Sequence, residues 1–103
     1  MFTFFLTTPN NDVAEFLVKF FYPHARRKHK NKRRIVCKIY HKDTGQLVCE
    51  GYSMVNRDAG DHYIKAEGRK YALTHAIDGF VDVERAVIWG YFFEAFPLKE
   101  KHE

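Results

Sequence analysis

Hydrophobic positions recur along this chain with two different periods. Phe2–Thr7 is rich in Phe and Thr, a composition that favours a strand. Thr8-Pro9-Asn10-Asn11 is turn chemistry. Asp12 is then a good N-cap, and Glu15 three residues on completes an Asp-x-x-Glu variant of the capping box. Val13, Phe16, Leu17, Phe20 and Phe21 share one helical stripe, which predicts a helix that Pro23 stops. Residues 24–34 contain no aliphatic side chain larger than that of Ala25, so this stretch is expected as an exposed loop.

From Ile35 to Val55 the period is two. Ile35, Cys37, Ile39 and His41 alternate with Val36, Lys38, Tyr40 and Lys42. Asp43-Thr44-Gly45 suits a three-residue hairpin turn, with Gly supplying the positive φ. That register sets Lys42 opposite Gln46, Tyr40 opposite Val48, Lys38 opposite Glu50 and Val36 opposite Tyr52. The Lys38–Glu50 pairing of opposite charges supports it. Cys37 is then diagonal to Cys49, and diagonal Cβ atoms about 7–8 Å apart are out of disulfide reach. Both cysteines fall on the Ile39 face as small core residues.

Asn56–His62 is polar and is expected as a loop. A helix is predicted from about Lys65 to Ile77, with Ile64, Gly68, Ala72 and Ala76 in one i, i+4 row flanked by Leu73 and Ile77. Asp78-Gly79 ends it, and Asp82 is expected to cap a last helix from Val83 to about Phe96. That helix is apolar on nearly every side, and a domain this small cannot surround it. Trp89, Tyr91, Phe92 and Phe93 are therefore candidates for a partner or homodimer interface. The expected fold class is α+β: a small antiparallel sheet, made of the hairpin and an N-terminal third strand, packed by about three helices. The 103 residues suit a single domain, 1–103, with a basic loop at about 24–34.

Composition adds an asymmetry. The formal net charge is +4, yet no acid lies between Glu15 and Asp43, where residues 16–42 carry ten bases. The remaining 76 residues carry seven bases and thirteen acids. Apolar content of 46% and aromatic content of 17% exclude a disordered chain. Two cysteines exclude a disulfide scaffold or a four-cysteine zinc site. Met1–Leu6 lacks a basic flank and a cleavage site, and no run reaches the roughly 20 apolar residues of a membrane helix. A cytoplasmic protein with reduced cysteines and no membrane partner is expected.

Seven bases crowd into the nine residues Arg26–Arg34. Arg26, Arg27, Lys28, Lys30, Lys32, Arg33 and Arg34 suit phosphate contact, because each neutralised phosphate releases counterions. Tyr22 and Tyr40 flank the run and could stack on bases. An acidic protein face would also attract it, and a merely solvated loop needs no partner. Arg69 and Lys70 lie near a helix start, where free N–H groups favour an anion. Alternatively, Gly68 and Gly51 allow a close helix–hairpin crossing and the two cations point to solvent.

Asp58, Asp61, His62 and Glu67 form an acidic cluster near Lys65, but their spacing matches no metal motif, and Asp61 fits a helix-entry residue. The six His residues show no ligand spacing, and His75 fits a packing role. No phosphate loop, nucleophile elbow or metalloprotease motif occurs. Neither catalytic residues nor a metal or other cofactor is expected, and the chain is read as no enzyme.

The run Asp61-x-Tyr63-x-Lys65-x-x-Gly68-Arg69-Lys70-x-Ala72-Leu73-x-x-Ala76, followed by Arg85 and Ile88-Trp89-x-x-Phe92, resembles a group of small bacteriophage-encoded proteins. The resemblance spans roughly Ile35 to Phe96. It implies a hairpin ending in a Gly-containing strand, an acidic loop and two closing helices. It implies a phage source and a host-cell cytoplasmic setting rather than an activity. Asp58 and His75 depart from the group's usual His and Arg. A small phage protein without catalytic motifs is expected to act by binding. One expectation is binding of nucleic acid or another polyphosphate through the basic loop. The alternative is a host-protein inhibitor (anti-defence or host-takeover) or a nucleotide-signal sponge, acting through the aromatic last helix.

Overall fold

The computed structural model describes residues 1–22, 32–56 and 65–97. Phe2–Thr7 forms strand β1, as its composition favours. Its partner is the segment whose stripe predicts a helix: Val13–Phe21 is strand β2, antiparallel to β1. The stripe competes with a second pattern in the same residues. Phe16, Val18 and Phe20 alternate with Leu17, Lys19 and Phe21, and β-branched and aromatic residues suit a pleated surface. A helix would leave Val18 off the apolar stripe, whereas the strand buries it completely. Flanking strands on both sides satisfy the β2 backbone, so tertiary pairing overrides local capping chemistry. Asp12 accordingly closes a turn instead of capping a helix. Thr8 N–H donates to the Asp12 carbonyl (2.7 Å), Asn11 N–H donates to the Thr8 carbonyl (2.9 Å), and Asn11 takes a φ of 65°.

Strand β3, Lys32–His41, and strand β4, Leu47–Asn56, complete a four-stranded antiparallel sheet of order β1-β2-β3-β4. Lys32, Arg33 and Arg34 thus belong to a strand and not to the expected loop. Residues 24–31 and 57–62, the rest of the two expected loops, lie outside the described residues. Lys38 faces Glu50 and Val36 faces Tyr52, as the alternation predicts. Nearer the turn the register differs. His41 N–H donates to the Gln46 carbonyl (2.8 Å), so the loop is one residue longer than expected. An irregularity between Ile39 and Tyr40 absorbs the extra residue, and Tyr40 pairs with Leu47 instead of Val48. Gly45 supplies the positive φ, at 73°.

Among the described residues two helices, not the expected three, cover the sheet, because Val13–Phe21 is a strand. Helix α1, Lys65–Ala76, packs on β4 and β3, and helix α2, Asp82–Ala95, packs on β1. The Gly68–Ala72–Ala76 row faces inward, with Leu73 and Ile77 beside it. Asp82 is in the first turn of α2, ion-paired with Arg85, and Val81 is the N-cap. Glu84 accepts the Val81 N–H at 3.2 Å. The core lies between one sheet face and the helices. Phe2, Phe20, Phe92 and Phe96 interlock there at 5.2–6.4 Å between ring centroids, mostly edge to face.

The α1 backbone lies directly on β4. A Cβ built on Gly51 would come within 2.7 Å of the Ala72 carbonyl oxygen and 2.6 Å of the His75 carbonyl carbon. Gly68 approaches Ile35 as closely, and Ser53 Oγ donates to its carbonyl at 2.8 Å. Gly51→Ala must therefore push α1 off the sheet. It should lower stability by about 3 kcal/mol, measured by urea denaturation, while Gly79→Ala, which meets nothing within 4 Å, should change little. Equal effects of the two substitutions would contradict this packing.

Candidate nucleic-acid interface

Strand alternation sends half of the sheet's side chains away from the helices. Both helices pack on the other face and reach the outward side only at its edges, where Phe5 of β1 lies 6.3 Å from Tyr91 between ring centroids and Tyr71 lines a concavity with Tyr52 and Met54. The pairing arranges them in rungs across β2, β3 and β4. Arg34 faces Met54, and the next rung holds Phe21, Val36 and Tyr52. Lys19, Lys38 and Glu50 form the third, and Leu17 with Tyr40 the fourth. Glu15 and Lys42 close that end with an ion pair of 2.9 Å.

Cations and rings therefore alternate along the strands, and each cation leans on a neighbouring rung. The Arg34 guanidinium lies 5.8 Å from the Tyr52 ring centroid, Lys38 Nζ 5.4 Å from Phe21, and Lys19 Nζ 5.7 Å from Tyr40. Lys19 sits directly opposite Lys38, a like-charge arrangement that weakens a sheet. Glu50 reaches Lys38 only at 4.0 Å, and no described acid forms an ion pair with Lys19. Phe21, Arg34, Val36, Lys38 and Tyr52 line a shallow groove of about 460 Å³. Tyr52 is 56% exposed, so its ring is open to a ligand.

The other expected phosphate ligands lie elsewhere. Arg26, Arg27, Lys28 and Lys30 are outside the described residues; they belong to the stretch that leaves β2 after Tyr22 and re-enters at Lys32. Lys32 and Arg33 lie in the same strand as Arg34. Arg69 is directed away from any solvent-facing helix start. Its guanidinium stacks 4.5 Å from the Phe96 centroid and donates to Tyr22 Oη at 3.4 Å. Lys70 instead lies 5.7 Å from the Phe93 ring. The two cations thus part, and the close-crossing role of Gly68 accounts for the local sequence. On α2, Phe92 is a core residue and not an outward one. Trp89 and Tyr91 are half-buried, while Phe93 is partly exposed beside them.

Cys37 is buried and its thiol is pushed up to about 12, first by burial and then by the nearby Cys49. Burial also raises Cys49, and both are free thiols, a poor setting for a nucleophile. Among the described residues no cluster of His, Cys, Asp and Glu could hold a metal ion. No described helix is long and apolar enough to cross a membrane. Asp58, Asp61 and His62 lie outside the described residues. Lys19, Lys38, Phe21 and Tyr52 escape a sequence reading that makes Val13–Phe21 a helix. Their signal is the period-two set Leu17, Lys19, Phe21 beside the hairpin's Val36, Lys38, Tyr40. Compared with known proteins, the chain matches no family model, no curated protein and no solved structure.

The like-charge rung sets a test. Lys19→Glu replaces a repulsive cross-strand pair by an attractive one and should raise stability by about 0.5 kcal/mol. Urea denaturation checks this, and a loss of stability would contradict the assigned register.

Proposed function

We propose that this protein acts by non-catalytic binding to nucleic acid through its basic stretch and the adjoining sheet face. The observation that carries the reading is charge placement. Arg26, Arg27, Lys28 and Lys30 lie in sequence between two strands whose outward residues include Lys19, Arg34 and Lys38. Bases that outnumber the acids near them favour a polyanion, and phosphate neutralisation releases counterions. Phosphate contacts supply affinity without sequence choice, so a binder of broad specificity is expected. The resemblance to small phage proteins supports a phage source and action in the host cytoplasm.

A second reading draws on the outer side of the helices. Val83 (75% exposed), Val87 and Phe93 lie outward on α2, and the exposed Tyr71 lies on α1. This apolar surface would suit a host protein or a second copy of the chain. It explains none of the sheet-face cations, which is why the nucleic-acid reading ranks first.

Fluorescence anisotropy with labelled oligonucleotides, over a range of salt concentrations, tests the proposal. The logarithm of the affinity should fall with log[salt] by about 0.7–0.9 for each phosphate contacted. Changing Arg26, Arg27, Lys28 and Arg34 to Gln should flatten that slope by roughly one unit per lost contact. Absent binding, or binding insensitive to salt, would overturn it.

A further inference from the structure

The uncovered sheet face offers rings as well as charge. Successive rungs are two residues apart, about 6.7 Å along a strand. Aromatic and cationic rungs alternate with that spacing: Phe21 and Tyr52, then Lys19 and Lys38, then Tyr40. A purely electrostatic footprint has no need of the rings. A duplex hides the faces of its bases in the stack, so exposed rings gain nothing from it beyond contact. An unpaired strand presents base faces and phosphates in turn, the same alternation as the rungs.

We propose that this face binds single-stranded nucleic acid, with bases stacked on Phe21, Tyr40 and Tyr52 and phosphates held by Lys19, Lys38 and Arg34. The proposal rests on the nucleic-acid reading above and narrows it to unpaired strands. Charge complementarity identifies the occupant. Lys19 and Lys38 face each other with one acid, Glu50, 4.0 Å from Lys38, and a phosphate between the two cations converts repulsion into attraction. Cation–π contact holds each basic head beside a ring, which keeps charge and stacking surface together before the ligand arrives. Every base has a π-face, so stacking tolerates any sequence. Ring faces do not read a 2′-hydroxyl, so DNA and RNA strands both bind. Glu50 is the one acid in these rungs and opposes an incoming phosphate.

Anisotropy titrations of the full chain test this, with a single strand of about 12 nucleotides as DNA and as RNA, and with the corresponding DNA duplex. Single strands should bind at least roughly tenfold more tightly than the duplex. Tyr40→Leu and Tyr52→Leu should each weaken single-strand binding roughly tenfold and leave duplex binding unchanged. Tyr52 is exposed, so its replacement does not threaten folding. Glu50→Gln should tighten binding about two- to fivefold, a gain that a misfolded protein cannot produce. Val83→Ala, at an exposed position on α2, should leave affinity unaltered. Equal affinity for single strand and duplex, or full single-strand affinity in both tyrosine variants, would overturn the stacking face while leaving the nucleic-acid reading intact. Failure of every oligonucleotide to bind would overturn both.

Discussion

Helix α1 rests on the sheet at backbone contact, and that seat depends on a glycine. Gly51 on β4 leaves the space into which the backbone of Ala72 and Ala76 descends, while Gly68 faces only the movable end of the Ile35 side chain. The close approach buries Leu73 and Ile77 among Ile35, Cys37 and Ile39. Burial of each large aliphatic side chain is worth about 1.5–3 kcal/mol, so the seat positions much of the core. With α1 fixed on β4 and β3, the short turn after Ile77 returns α2 to the same side, over β1. One face of the sheet receives both described helices, and the opposite face receives neither of them.

That one-sidedness makes the outward rungs available for a ligand. A sheet face in water tolerates charge but gains little from Lys19 beside Lys38, and a Glu in place of Lys19 would serve folding better. The rings at Phe21, Tyr40 and Tyr52 likewise contribute modestly to stability where they stand. A face optimised only for solubility would interleave acids with these bases. The observed pattern keeps acids at the margin, as the Glu15–Lys42 pair, and at Glu50. The basic stretch then enters and leaves the sheet beside the Arg34 and Phe21 rungs. Cation–π contacts couple the two features without consuming the charge.

The hairpin was largely legible in the sequence, because period-two alternation and the Lys38–Glu50 pairing specify register together. It failed near the turn, where a backbone irregularity shifts Tyr40 by one residue and leaves no residue-type signature. The Gly68–Ala72–Ala76 row was legible for a similar reason: small residues at i, i+4 have one packing use. Val13–Phe21 was not. Its apolar residues satisfy both the 3.6 and the 2.0 period, and Asp12 with Glu15 supplies a helix signal at its start. Only the presence of β1 and β3 on its two sides decides between them. The candidate site was lost with it, since Lys19 and Phe21 become sheet-face residues only when β2 is a strand. Arg69 is the complementary case. Its charge suggests phosphate, but its partners, Phe96 and Tyr22, come from distant parts of the chain.

On the nucleic-acid reading, the sheet face that carries neither described helix, and not the outer surface of the helices, meets the ligand. Backbone-amide NMR during titration with a single-stranded oligonucleotide tests it most directly, because it reports on both surfaces in one experiment. Shift changes are expected to concentrate at Lys19, Phe21, Val36, Lys38 and Tyr40, with the amides of Val83, Val87 and Phe93 unmoved. Changes confined to α2, with the β2 and β3 amides silent, would contradict it.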